Sequence, residues 1–184
     1  MKNLLITFLL LITYSLSAQT ATEYFETANE QAANKQFYKA IPTYKKAIAL
    51  DSTNLEYQWM LSKAILKENV RDTHRTDVGV FEGLQILDNM ISKGAKSIKI
   101  YEAIVKVNQY VLNDYYNRYK NFTPKKTASW QDDKTDTSEK MKFKEIAINA
   151  YSKMEESCNE ILKMEVDQKF ATTKLKYLKK PVFN

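Results

Sequence analysis

Residues 21–54 read ATEYFETANEQAANKQFYKAIPTYKKAIALDSTN, and the reading of this stretch decides the fold. It predicts two helices, near 20–34 and 37–50. They are followed by Asp51-Ser52-Thr53-Asn54, a polar turn rich in residues that cap helix N-termini. Pro42 falls inside the second helix, where it costs about 3 kcal/mol unless a kink is accommodated.

The rest of the chain continues in the same manner. Gly and Pro number three each, well below average use of roughly 7% and 5%. Few turns can be built, so long helices are expected. Five more are predicted near 54–68, 78–93, 97–122, 138–165 and 168–179. Gly94 suits a helix C-terminus, and the residue before Pro124 avoids the helical region. Between them, Ile98, Tyr101, Val105, Leu112, Tyr115, Tyr119 and Phe122 fall close to one helical stripe. Ile100, Ala103, Val107, Tyr110 and Val111 fill much of the other side, as in a helix packed between neighbours. Residues 125–138 are polar and mixed in charge, which predicts a loop serving either as a connector or as a partner contact.

Counted from Ala21, Tyr24 is fourth, Ala28 eighth and Phe37 seventeenth. Ala40, Tyr44 and Ala47 are twentieth, twenty-fourth and twenty-seventh. This pattern resembles a tetratricopeptide repeat of about 34 residues, with Asp51-Ser52-Thr53-Asn54 in place of the usual Asp-Pro-x-Asn turn. The next repeat has Leu61 and Ser62 at its seventh and eighth positions. Its second helix, with Gly83, Leu87 and Met90, comes after an insertion from Asn69 to Asp77. A third would start at Ile98, with Tyr101 at the aromatic position, and Ala147 to Tyr151 echoes Ala40 to Tyr44. Val105 is too large for its small-residue position.

The resemblance implies an all-α fold: antiparallel helical hairpins stacked as a short array over 21–54, 55–97 and 98–165, with a C-terminal capping helix at 168–179. It also implies a concave face that binds a peptide or protein. The inward positions of the first helices map to Phe25 and Asn29, then Trp59 and Lys63, then Glu102 and Lys106. Trp59 reads either as an interface anchor or as core filler. The subtype that clamps carboxylate tails is not matched, because Phe25 and Met60 stand at two of its polar positions.

Residues 1–18 carry the parts of an export signal: Lys2, an apolar run from Leu4 to Ile12 broken only by Thr7, and Ser15-Leu16-Ser17-Ala18, which offers small residues before the expected cut after Ala18. The run is too short for a bilayer span of roughly 20 residues. A periplasmic or secreted protein is expected, with no membrane span after removal of the signal. Cys158 is the single cysteine, so no internal disulfide can form, and a buried apolar role is expected for it.

The net charge of +6 is uneven, with 93–126 strongly basic. Export argues against nucleic acid as the partner. The alternative to a groove adaptor is a structural or inhibitory subunit that binds an acidic partner through this basic face. Tyr116 and Arg118 are expected to be exposed at its end.

Nothing assembles into a catalytic set. His74 is the only histidine, and it lies in the inserted loop. One His and one Cys do not make a zinc site. Asp132, Asp133 and Asp136 lack the glycine and the final glutamate of a calcium loop. Asn121-Phe122-Thr123 matches a glycosylation acceptor by pattern alone. The expectation is therefore a binding protein without turnover and without a cofactor.

Overall fold

A computed structural model describes residues 20–71, 77–123, 137–164 and 169–183. The expected export signal, His74 and the aspartates at 132, 133 and 136 lie outside the described residues. Within them are seven helices and no strand. These are α1 (Ala21–Ala33), α2 (Phe37–Leu50), α3 (Leu55–Arg71), α4 (Asp77–Ser92), α5 (Ile98–Lys120), α6 (Ser138–Leu162) and α7 (Lys169–Tyr177). The fold is all-α, built from packed pairs of consecutive helices. Contacts divide the chain into two compact units, Met1–Ala95 and Lys96–Asn184.

In the first unit the described turns have local chemical causes. Thr20 and Glu23 form a reciprocal capping box at the start of α1. The Glu23 N–H donates to Thr20 Oγ1 (3.2 Å), and the Thr20 N–H donates to Glu23 Oε2 (2.9 Å). Together they satisfy two of the donors that a helix start leaves open. At its end, Lys35 takes a positive φ of 60°. The Gln36 N–H reaches the Gln31 carbonyl and the Lys35 N–H the Ala32 carbonyl, the Schellman arrangement. Gly94 closes α4 in the same way, at φ 90°, with Gly94 and Ala95 donating to Ile91 and Met90.

The turn between the hairpins is also knit internally. Asp51 Oδ1 accepts from the Thr53 hydroxyl (2.8 Å) and the Thr53 N–H (3.2 Å). The Thr53 hydroxyl, first among several donors, holds the Asp51 carboxyl below the usual carboxylate range. Asn54 Oδ1 then caps α3 by accepting from Glu56 N–H at 3.0 Å.

Helix α2 runs unbroken through Pro42. The missing N–H would have served the carbonyl of Tyr38. Both residues are exposed, so water can take its place. Small and large residues share the core of the two hairpins. Ala28, Ala40 and Tyr44 are fully buried and join Leu61, Ala64 and Ile65 in one cluster. In α4, a Cβ on Gly83 would come within 2.7 Å of the Leu66 side chain, so any larger residue there would force Leu66 to shift.

The second unit packs α5 against α6, with α7 on α6. Large residues of α5, among them Ile104, Val105, Leu112 and Tyr115, are buried. Helix α6 buries Ala147, Ala150, Met154, Ser157, Cys158 and Ile161. Burial also pushes the Cys158 thiol up from its ordinary value.

Some helix ends differ from expectation. Helix α3 continues to Arg71 rather than 68. Helix α6 stops at Leu162, where the Lys163 N–H caps back onto Asn159 and Glu160 carbonyls, not at 165. Among the described residues no helix is long and apolar enough to cross a membrane.

Candidate functional site

Helices α1 and α3 of the first unit flank a groove of about 370 Å³, with α2 contributing Phe37 and Tyr44. Its side from α1 carries Phe25, Asn29, Ala32 and Ala33. The α3 side carries Glu56, Met60, Lys63, Ala64 and Lys67. That second set recurs at intervals of three and four residues, the rule for one helix face.

The aromatic end is packed ring on ring. The Phe25 ring stacks on Tyr57 at 4.4 Å between centroids and leans on Tyr44 at 5.8 Å. Tyr57 is itself buried. The Tyr44 hydroxyl donates to Asn29 Oδ1 at 2.7 Å. This bond fixes the orientation of the Asn29 amide. Burial raises the Tyr44 hydroxyl from 10.0 to about 12, so it stays a donor at neutral pH.

The groove is graded in charge. Glu56 and Lys67 stand eleven residues apart on one helix, about 16 Å at 1.5 Å per residue. Lys63 lies at the rim, 3.8 Å from the Met60 sulfur and 5.7 Å from the centre of the Trp59 ring.

Three of the six inward candidates, Phe25, Asn29 and Lys63, therefore line one groove. Trp59 is partly buried beside Lys63 and is not among the lining side chains. Glu102 and Lys106 belong to the second unit. They pair with each other at 3.0 Å, and Lys106 also lies over the Phe170 ring at 5.2 Å. Sequence reasoning did not assign Phe37, Tyr44, Glu56, Met60, Ala64 or Lys67 to the groove. The helical spacing of Glu56, Met60, Lys63 and Lys67 was the signal that could have found the α3 members.

The basic stretch is partly neutralised by its own helix. Its two acids, Glu102 and Asp114, pair with Lys106 and Arg118. Among the described residues no three His, Cys, Asp or Glu side chains cluster as they would around a metal ion. Comparison with family models, with curated proteins and with solved structures gives no match.

Proposed function

We propose that this chain is an exported, tetratricopeptide-like adaptor that holds an extended segment of another protein in the α1–α3 groove, by binding and without turnover. The observation that carries the reading is the groove itself: an apolar trough with a fixed aromatic end, an amide held by Tyr44, and lysines along one rim. Its volume suits one or two apolar side chains and lies at the low end of ligand sites. The two hairpins of the first unit, with Ala28 and Ala40 fully buried, support the repeat reading.

The grading from Glu56 to Lys67 gives the ligand a direction. About 16 Å of groove spans roughly five residues of extended chain. The preferred segment places an apolar residue against Phe25 and Met60, its acidic end toward Lys63 and Lys67, and a basic or amide group toward Glu56.

The test is selection of peptides from a random displayed library against residues 19–184. The reading expects a consensus with an aromatic or aliphatic residue followed by acidic ones. It expects binding to weaken at least tenfold in Phe25→Ala and Met60→Ala, and the acidic preference to reverse in Lys63→Glu/Lys67→Glu. Selected peptides that bind all these variants as well as the parent would refute it.

A further inference from the structure

The second unit carries a surface that the groove reading does not use. Its centre is the segment after α7. Phe183 meets the rings of Tyr116 (5.5 Å) and Tyr119 (4.9 Å) edge-on, each at 87°. The Tyr116 hydroxyl donates to the Val182 carbonyl at 3.1 Å. Three ammonium groups stand over these same rings: Lys120 over Tyr116 (5.0 Å), Lys140 over Tyr119 (4.5 Å) and Lys144 over Phe183 (5.5 Å).

None of these three lysines forms an ion pair with a carboxylate among the described residues. The neighbouring cation Arg118 is committed to Asp114 at 2.8 Å. Further positive charge follows close by in sequence: residues 169–183 hold five lysines and no acid. Ring faces attract the ammonium groups but leave their charge uncompensated.

Large apolar side chains sit exposed within this charge. Val182, next to Phe183, is 69% exposed, and Met141, between Lys140 and Lys142, is 55% exposed. Exposed apolar residues set among lysines fit a bilayer interface. Aliphatic groups enter the headgroup boundary while flexible ammonium groups meet anionic lipid. An acidic protein partner could also bury these side chains, and the test below separates it from a bilayer by its soluble polyanion.

We propose that the Tyr116–Tyr119–Phe183 cluster and its three lysines form a docking surface for an anionic lipid bilayer. The bound molecule would lie on the membrane by this face. The surface is independent of the groove and stands or falls separately.

The test is co-sedimentation of the full-length mature chain with vesicles of phosphatidylcholine alone, or mixed with phosphatidylglycerol, at low and high salt. Binding only to the mixed vesicles, weakened by salt, is expected. Each lysine lost weakens partition about fivefold, so Lys120→Gln/Lys140→Gln/Lys144→Gln loses about a hundredfold. The corresponding triple arginine variant keeps binding, and Val182→Asp weakens it. Far-ultraviolet circular dichroism verifies that each variant is folded. Lys63→Gln/Lys67→Gln, in the first unit, binds vesicles as the parent does. Equal binding to neutral vesicles, or a folded triple glutamine variant that binds unchanged, would overturn the proposal. So would soluble poly-glutamate or inorganic phosphate that occupies the surface while vesicles do not, which would point to an acidic polypeptide or a free anion.

Discussion

The Tyr44 hydroxyl donates to Asn29 across 2.7 Å, so a fully buried ring of α2 sets the position of an amide on the groove wall of α1. One bond serves stability and the site together. Its ionisation is the most accessible handle on both.

Tyr44 gives an alkaline signature. Its hydroxyl ionises near 10.0 in the unfolded chain and at about 12 when folded. Between those values the folded state holds the extra proton, so its contribution is complete below pH 10 and is lost as pH rises toward 12. Stability should fall there by about 1.4 kcal/mol per pH unit for this group. Tyr44→Phe should remove that slope and cost about 1 kcal/mol at neutral pH, because Asn29 loses its donor. Tyr101, also raised, chiefly by burial and then by Glu160, leaves a residual slope. Urea unfolding from pH 8 upward, in parent and variant, measures both.

Two helix ends offer a matched pair. Lys35 and Gly94 occupy the same position of the same capping motif, both at positive φ. A lysine there is strained and a glycine is not. Lys35→Gly should raise stability by about 1 kcal/mol, and Gly94→Ala should lower it by a similar amount. A Cβ at Gly94 meets nothing within 4 Å, so that loss would come from the backbone alone. Thermal melts of the two variants check the signs.

Gly83 tests the close approach of α3 and α4. Gly83→Val should cost about 1–3 kcal/mol by overpacking, since even a Cβ lies 2.7 Å from Leu66. Phe81→Val, at a partly exposed position on the same helix, should cost much less. Denaturant midpoints compare the two.

Cys158 should be inert in the folded protein. It is fully buried and its thiol is pushed up by desolvation, so the reactive thiolate is scarce. Iodoacetamide should label it slowly at neutral pH and rapidly in denaturant. Fast labelling of the native protein would contradict the packing of α6 on α5.

The helices were legible because their causes are local. Scarce glycine and proline, the Asp51–Asn54 turn and Gly94 place most of the boundaries to within about three residues. The capping box of Thr20 and Glu23 and the strained Lys35 were not read, although the first is written in sequence as Thr-x-x-Glu. Phe25, Asn29 and Lys63 were legible through the repeat register. Phe37 and Tyr44 were not, since they reach the groove from the second helix of the hairpin, and that depends on how the two helices pack in three dimensions. The aromatic cluster at Phe183 was beyond reach, because residues 66 positions apart, Tyr116 and Val182, meet only in three dimensions.

The most direct test of the central claim is methyl NMR of the methionine-labelled protein titrated with a peptide selected by the displayed library. Met60 lines the groove, Met90 is buried elsewhere in the same unit, and Met141 and Met154 lie in the other. The account predicts a saturable shift of the Met60 methyl, abolished by Phe25→Ala, with Met141 and Met154 unmoved. Shifts confined to Met141 or Met154, with Met60 silent, would contradict the groove as the binding site.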